Sequence, residues 1–346
     1  MSNRTVHAAA GANIRAITFL ALLLSGCATL HEERSPQRFE IGVLGDVPYT
    51  AADEAKMPAL IKQMNQADLA FVVHVGDMQA DGGTDGAPPC TDETFATRKA
   101  QIESFSHPVI LTPGDNDWSD CHRAKPGPGY DPLERLSKLR EMFFRGDESL
   151  GQRKLRLTRQ SKDSRYAKYR ENARWAYGQV LFITIHMVGD NNNRGRTPQQ
   201  DEEYDERNAA NLEWLKQGFE MGKRDGYKAV MIITQANPYI EDTWTPVFKR
   251  RMRIGPPFVT PFGFTDFLRV LEEEISNFDG PVALVHGDTH FFRVDKPLRF
   301  AKNQRAYEHF TRVETFGSPH VHWVRAMVDL NDPQVFSFKP ELVRAQ

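Results

Sequence analysis

The sequence predicts an α/β fold in which parallel strands carry helices on their faces. Short apolar runs alternate with helical stretches through the first two thirds of the chain. Several of these runs end in Gly-Asp, which is typical of a strand that turns sharply at its carboxyl end. The C-terminal third contains further strand-like segments. Together these observations predict one domain with two sheets.

The N-terminal half has the order of a parallel sheet. Each apolar run is short enough to be a buried strand, and each intervening stretch has helical spacing of its apolar residues. Thr91 is the expected cap of the second helix. The predicted order is strand 39–46, helix 52–67, strand 68–77, helix 91–105 and strand 108–115.

The second half is richer in strands. Residues 165–172 and 173–186 are expected to form a β-hairpin region, and a long helix is expected from Glu202 to about Arg224. No internal repeat or low-complexity segment interrupts the pattern. The remaining predicted elements are strand 228–238, helix 260–278, strand 281–286 and strands 309–318, 320–330 and 334–340.

Composition and charge narrow the class of protein. The chain has 346 residues, of which 40% are hydrophobic and 26% charged, as in ordinary globular proteins. The formal net charge is −2 and there is no block of basic residues, so no nucleic-acid surface is evident. The sequence does not indicate an oligomeric state.

The N-terminus has the pattern of an export signal. Arg15 precedes the apolar run "AITFLALLL", which is too short to span a bilayer. The following Leu24-Ser25-Gly26-Cys27 resembles the bacterial lipobox, which implies lipidation of Cys27 and, with Ala28 next, an outer-membrane anchor facing the periplasm. An ordinary cleaved signal peptide is the alternative. The predicted organisation is a signal peptide at 1–26, a tether at 27–38 and a single domain at 39–346.

The two remaining cysteines agree with an oxidising compartment. Cys90 and Cys121 are an even pair, and a disulfide between them would close a loop of about 30 residues. Such a bridge stabilises a protein by about 3–4 kcal/mol in the chain-entropy model. Two free buried thiols are the alternative.

Polar side chains follow five of the predicted strands. Because the carboxyl ends of parallel strands share one edge of a sheet, these side chains are expected to converge. A single Asp at such a position usually caps a turn. Four carboxylates in one pocket would repel one another, however, and two divalent cations would balance their charge. The residues are Asp46, Asp77, Asp115, Gln235 and Asp288 with His290.

The order of these motifs resembles the calcineurin-like metallophosphoesterases. The matching segments run from Asp46 through Gly76-Asp77, Gly114-Asp115-Asn116-Asp117 and Gln235-Ala236-Asn237-Pro238 to Gly287-Asp288-Thr289-His290. The resemblance covers nearly all of 39–325. It implies a four-layer α/β fold with two central mixed β-sheets flanked by helices. It also implies a dinuclear metal site that hydrolyses phosphate esters by a metal-bound hydroxide.

The resemblance assigns a role to each position. Asp77 matches the carboxylate that bridges the two metals, and Asp46 and His290 match ligands of the first metal. Asp115, Gln235 and Asp288 stand where the family has Asn, His and His as ligands of the second metal.

Two further positions depart from the family pattern. Pro48 replaces the first-motif His and cannot be a ligand, although the adjacent Tyr49 offers a phenolate that could bind Fe³⁺. Asn116 replaces the catalytic His, so it can contact a phosphate oxygen but cannot donate a proton to the leaving group. His122 is the candidate replacement acid. The oxygen-rich ligand set favours Mn²⁺, Mg²⁺ or iron over Zn²⁺.

These inferences predict a metal-dependent phosphoesterase acting on a small phosphorylated substrate at a carboxylate-rich dinuclear site. The sequence does not distinguish a phosphate monoester from a diester. One alternative is a catalytically degenerate protein of the same fold that acts as a binding module in the cell envelope. A purely structural envelope lipoprotein is the other, but it leaves the four strand-end acids without a role.

Overall fold

Two β-sheets form the centre of the structure. The computed structural model describes residues 36–82, 90–123, 129–239, 262–299 and 304–344. The predicted signal peptide, Cys27 and most of the tether lie outside these residues. The strands are β1 (Arg38–Leu44), β2 (Phe71–His74), β3 (Val109–Leu111), β4 (Thr158–Arg159), β5 (Ala173–Tyr177), β6 (Val180–Thr184), β7 (Ala229–Ile233), β8 (Val282–His286), β9 (Arg293–Asp295), β10 (Phe310–Glu314), β11 (Trp323–Asp329) and β12 (Phe336–Glu341).

The first sheet has five strands in the order β12-β11-β1-β2-β3, and the second has seven in the order β4-β5-β6-β7-β8-β10-β9. β1, β2 and β3 are parallel to one another, as are β6, β7, β8 and β10. The remaining strand pairs are antiparallel, so both sheets are mixed. The predicted α/β class and two-sheet architecture are therefore confirmed.

Helices cover the outer faces of both sheets. They are α1 (Ala51–Glu54), α2 (Met57–Gln66), α3 (Asp92–Glu103), α4 (Pro132–Phe143), α6 (Pro198–Arg224) and α7 (Thr265–Ser276), whereas the short element α5 (Gly189–Asn192) is a turn that follows β6. Thr91, Asp131 and Thr197 cap α3, α4 and α6 with side-chain oxygens that accept backbone N–H groups. In the described part of the chain, no helix is long and apolar enough to cross a membrane.

Alternate residues of the parallel strands face different apolar layers. In β2, Phe71 and Val73 pack between the two sheets, whereas Val72 packs against the helices of the first sheet. In β7, Met231 packs between the two sheets, whereas Ile232 packs against the helices that cover the second sheet. Because both faces are covered, these strands appear in the sequence as continuous apolar runs.

Three predicted elements differ from the structure. The segment before Ala173 forms short 3₁₀ turns at Gln160–Lys162 and Ser164–Tyr166, and the hairpin is formed instead by β5 and β6. The single helix predicted at 52–67 is two helices, because Pro58 lies in the first turn of α2 and cannot continue α1. The long helix begins at Pro198, where Thr197 supplies a cap that precedes the predicted start at Glu202.

Candidate metal centre

The carboxyl ends of the parallel strands bring the predicted site residues together. Asp46, Asp77 and Asp115 lie in the loops that follow β1, β2 and β3 of the first sheet. Gln235 follows β7, and Asp288 and His290 follow β8 of the second sheet. Hydrogen bonds and short contacts between the two sets of loops place all six residues in one site.

Four of the six residues have left-handed backbone conformations. The φ angles are 55° at Asp46, 54° at Asp77, 80° at Asp288 and 65° at His290. A non-glycine residue in this region costs on the order of 1 kcal/mol or more. Such strain persists where the surrounding structure enforces it, and it concentrates at functional sites. Here it directs the side chains of the strand-end loops toward a common point.

Asp77 is held by two groups from the first sheet. The Tyr49 hydroxyl donates to Oδ2 of Asp77 at 2.7 Å, and the backbone N–H of Asn116 donates to Oδ1 at 3.0 Å. The side-chain amide of Asn116 in turn donates to the Tyr49 oxygen at 2.8 Å. Tyr49 therefore lies beside the carboxylate that is predicted to bridge two metals, and Asn116 lies next to both.

Gln235 links the loops of the two sheets by hydrogen bonds, and its amide is not oriented as a metal ligand would be. Its Nε2 donates to Oδ1 of Asp115 at 3.0 Å and lies 3.3 Å from Oδ2 of Asp77. Its Oε1 accepts the backbone N–H of Gly189 at 2.7 Å. The side-chain nitrogen, not the oxygen, thus faces the carboxylates.

His290 presents an unprotonated nitrogen to Asp46. Its Nδ1 lies 2.9 Å from the carbonyl oxygen of Ser318, which accepts and therefore requires the proton on Nδ1. Nε2 then carries a lone pair, and it lies 3.7 Å from Oδ1 of Asp46. Burial lowers the pKa of His290, which keeps the ring neutral. This is the tautomer in which a histidine binds a metal.

Asp288 contacts both Asp46 and the β7 loop. Its backbone N–H donates to Oδ1 of Asp46 at 3.0 Å, and its Oδ2 accepts the N–H of Asn237 at 3.0 Å. A Cβ atom placed on Gly189 would lie 2.6 Å from Oδ2 of Asp115 and 2.7 Å from Oδ1 of Asp288. These two carboxylate oxygens therefore approach the same point beside Gly189.

The buried carboxylates disfavour ionisation in the absence of a cation. Burial is the main cause that raises the pKa values of Asp46, Asp77 and Asp288, and neighbouring carboxylates raise them further. Burial, together with the charge of Asp190, raises the pKa of Asp115 to about 6. Oδ2 of Asp46 is buried and has no hydrogen-bond partner among the described residues. Divalent cations would supply the missing partner and the missing charge.

Arginine side chains balance a second acidic group beside the site. Carboxylate oxygens of Asp115, Asp120 and Asp190 lie within 4.8 Å of one another. Arg123 and Arg196 each form ion pairs with both Asp120 and Asp190. The arrangement places two cationic side chains close to Asp115. Asp120 and Arg123 are neighbours in the sequence, but their pairing with Asp190 and Arg196 joins two segments that are 67 to 76 residues apart, which no local pattern indicates.

Asp117 supports the site, a role that was not predicted from the sequence. Its carboxylate accepts the backbone N–H groups of Asp77 at 3.0 Å, Met78 at 2.9 Å and Gly114 at 2.8 Å. Burial nevertheless raises its pKa to about 7. Asp117 fixes the loops that present Asp77 and Asp115. Its place directly after Asp115 and Asn116 is the signal that could have indicated this role.

His122 lies outside the hydrogen-bonded cluster of carboxylates. Its Nδ1 is 2.8 Å from the carbonyl oxygen of Ser119, and burial lowers its pKa, so the ring is neutral at pH 7. The structure pairs Cys121, the residue before it, with Cys90 in a disulfide whose Cα atoms are 5.7 Å apart. This bridge ties the loop after β2 to the loop after β3.

Comparison with known proteins reveals similarity in structure alone. No protein-family model and no curated protein matches the sequence. A dimetal phosphatase from Danio rerio is 13% identical with a TM-score of 0.52, over 88% of this chain and 96% of that one. The solved structure of PhoD is 12% identical with a TM-score of 0.52, over 88% of this chain and 69% of that one.

These similarities agree with an α/β fold of two mixed sheets flanked by helices. The two mixed sheets, the helices on their outer faces and the strand-end carboxylates are the features that the sequence motifs implied. The chain therefore has the calcineurin-like metallophosphoesterase fold.

Proposed function

We propose that this protein is a metal-dependent phosphoesterase. The observation that carries the proposal is the approach of His290 Nε2 to Oδ1 of Asp46, 3.7 Å apart, in the same cluster as the buried Asp77. Nε2 of His290 is too far from Oδ1 of Asp46 for a hydrogen bond, and the buried Oδ2 of Asp46 has no partner among the described residues, so both groups have lone pairs to offer a cation. The dimetal phosphatase of similar fold supports the same conclusion.

The side chains that fit divalent cations are those of the strand-end loops. Asp46, Asp77, Asp115, Asp288 and His290 would hold the ions, with Tyr49 beside Asp77 as a further oxygen donor. The donor set is mostly carboxylate, which suits Mn²⁺, Mg²⁺ or iron better than Zn²⁺. When bound, such ions polarise phosphoryl oxygens and lower the pKa of water at the site.

Of the candidate acids in the described residues, neither Asn116 nor His122 is placed to protonate a leaving group. Asn116 lies at the edge of the cluster, where its amide can donate to a phosphoryl oxygen. An amide cannot protonate a leaving group, and the neutral His122 contacts Ser119 rather than the site. General acid catalysis usually contributes about 10²- to 10⁴-fold. The proposed substrates are therefore small phosphate esters whose leaving groups depart without protonation, such as aryl esters.

Hydrolysis of aryl phosphates tests the proposal. The protein is loaded with Mn²⁺ or Mg²⁺ and assayed with p-nitrophenyl phosphate and bis(p-nitrophenyl) phosphate, which also separates mono- from diesterase activity. The Asp77→Asn variant removes the central carboxylate charge and is expected to lower the rate by at least 10²-fold. Equal rates for the two proteins would show that the hydrolysis does not come from this site.

The second candidate function is a binding module that has lost catalysis. Asn116 favours it, because the position that supplies the family's catalytic His here carries a side chain engaged with Tyr49. This candidate predicts metal binding and binding of inorganic phosphate without turnover of either ester. Calorimetry with phosphate on the Mn²⁺-loaded protein, run beside the hydrolysis assay, distinguishes the two functions.

We further propose that the protein is anchored by a lipid on Cys27 and faces the periplasm, with the outer membrane favoured. The lipobox-like sequence and the Cys90–Cys121 disulfide support an exported protein. The expected result is incorporation of labelled palmitate into the wild-type chain but not into Cys27→Ser. Equal labelling of both chains would contradict the lipid anchor.

A further inference from the structure

The orientation of the Gln235 amide is determined by Gly189. The group that meets Oε1 is a backbone N–H, 2.7 Å away, and only an acceptor can occupy that place. The other amide atom must then be the nitrogen, which faces Asp115 Oδ1 at 3.0 Å and Asp77 Oδ2 at 3.3 Å. Gln235 is fully buried, and these protein groups satisfy both ends of its amide.

The opposite orientation of the Gln235 amide, with Nε2 and Oε1 exchanged, would be unfavourable at both ends. Nε2 would face the N–H of Gly189, and Oε1 would face the oxygens of two carboxylates. A buried donor and two buried acceptors would then lose their partners. Gln235 could therefore become a metal ligand only at the expense of three contacts that the structure satisfies.

We propose that Gln235 is a hydrogen-bond donor that positions Asp77 and Asp115, and that the two cation positions are consequently unequal. The first position has imidazole and oxygen donors from Asp46, Asp77, His290 and Tyr49. Among the described residues, the second would have the carboxylates of Asp77, Asp115 and Asp288 and no imidazole. The second position binds more weakly and takes hard cations such as Mg²⁺, Ca²⁺ or Mn²⁺ in preference to Zn²⁺. This inference rests on the metal binding that the proposed function requires.

Calorimetric titration of the metal-free protein with Mn²⁺ tests the inequality. We expect one tight ion and a second that binds at least tenfold more weakly, while Zn²⁺ fills the tight position alone. Gln235→His supplies an imidazole to the second position, and we expect its Mn²⁺ affinity to increase at least tenfold. Gln66→His, at the exposed end of α2, is the matched control and is expected to behave as wild type.

Two results would overturn the inference. Two Mn²⁺ ions of equal affinity in the wild-type protein would contradict unequal positions. A Gln235→His variant that folds, as judged by its thermal unfolding, but binds the second ion no more tightly would contradict the role of Gln235. If that variant does not fold, the wild-type titration and the His290→Ala variant test the unequal positions instead. His290→Ala is expected to remove the tight site and leave the weak one.

Electron spin echo spectroscopy of bound Mn²⁺ reports the ligands directly. With one equivalent, we expect a single imidazole ¹⁴N coupling that disappears in His290→Ala. A second equivalent adds no coupling in wild type but adds one in Gln235→His. A second coupling in the wild-type protein would refute the all-oxygen position.

Parallel ester hydrolysis separates this inference from the proposed function. Unequal binding without hydrolysis refutes the phosphoesterase function and leaves the assignment of Gln235 intact. Hydrolysis with two equal ions refutes the assignment and leaves the function intact. Binding of no ion refutes both.

Discussion

Tyr49, the residue after Pro48, contacts both Asp77 and His290 in the candidate site. Its hydroxyl donates to Asp77 at 2.7 Å, and its ring packs edge-on against His290 with ring centroids 5.2 Å apart. Burial and the charge of Asp77 raise the pKa of Tyr49 well above its usual value, so the hydroxyl keeps its proton until a cation displaces it. Because its pKa is raised, Tyr49 would lose its proton and bind a metal only if the cation carries a high charge, as Fe³⁺ does.

We predict that the Fe³⁺-loaded protein has a visible phenolate-to-iron absorption band and that Tyr49→Phe abolishes it. The variant keeps the ring against His290 but removes the only oxygen of the side chain. Visible spectroscopy of both proteins is the measurement, and Tyr166→Phe, in a 3₁₀ turn outside the site, is the control. A band of unchanged intensity in Tyr49→Phe would exclude the phenolate as a ligand.

His74 makes the stability of the protein dependent on pH. Burial, with a smaller effect of Arg98, lowers the pKa of His74 to about 4, and its Nδ1 accepts the N–H of Gly76 at 3.2 Å. The unfolded chain binds a proton near pH 6.5 and the folded chain only near pH 4. The contribution is therefore complete above pH 6.5 and is lost as the pH falls toward 4.

Between pH 6.5 and pH 4, we predict that the free energy of unfolding decreases by roughly 3 kcal/mol less in His74→Gln than in the wild-type protein, since one pKa unit corresponds to about 1.36 kcal/mol. Urea unfolding at several pH values measures the difference between the two proteins. His320→Gln changes an exposed histidine and is expected to leave the wild-type slope unchanged. Identical slopes for wild type and His74→Gln would show that His74 does not cause the acid sensitivity.

The short element α5 forms one wall of the site. Asp190, Asn191, Asn192 and the following Asn193 all have φ angles between 47° and 65°, so the segment is a left-handed turn. The buried Arg207 of α6 donates to the side-chain oxygen of Asn192 at 2.6 Å and to its carbonyl at 3.0 Å. These contacts hold the turn in place and press Gly189 against Asp115 and Asp288.

We predict that Gly189→Ala weakens the weaker Mn²⁺ site at least tenfold and costs about 1–3 kcal/mol of stability. The added Cβ would lie 2.6 Å and 2.7 Å from two buried carboxylate oxygens, which must move apart. Titration calorimetry and urea unfolding give the two quantities. Gly146→Ala is a suitable comparison, because a Cβ there meets nothing within 4 Å. Wild-type metal affinity in Gly189→Ala would contradict the close packing.

The strands and the ends of the strands could be predicted, but the contacts between distant loops could not. Strands buried on both faces, such as β2 and β7, leave an apolar run that is visible in the sequence, and the acids after them mark the site edge. The orientation of Gln235 depends on Gly189, 46 residues away in the chain. Residues 165–172 place tyrosines among charged residues, a pattern that 3₁₀ turns accept as well as strands, so the sequence alone does not locate the hairpin.

At the scale of the whole molecule, the site joins the two sheets. Asp46, Asp77 and Asp115 come from the first sheet, whereas Gln235, Asp288 and His290 come from the second. A cation that binds both sets stabilises the folded state by mass action, by about 4 kcal/mol at a thousandfold excess over its Kd. Binding of a cation at this site would therefore stabilise the packing of the two sheets.

The Cys90–Cys121 disulfide constrains the same region from the other side. It links the loop before α3 to the 3₁₀ turn Ser119–Arg123, which carries Asp120 and Arg123 next to Asp115. The two cysteines are 31 residues apart, and both are fully buried. Loss of the bridge should therefore destabilise the chain and loosen the segment that supports Asp115.

We predict that Cys90→Ser/Cys121→Ser lowers the free energy of unfolding by about 3–4 kcal/mol, the value expected for a loop of this length in the chain-entropy model. Urea unfolding is measured with and without dithiothreitol, in a Cys27→Ser background that leaves two thiols in the chain. The reductant should destabilise the parent protein by a similar amount and should not affect the double variant. If the parent is as stable with dithiothreitol as without it, while free-thiol titration confirms reduction, the bridge does not contribute to stability.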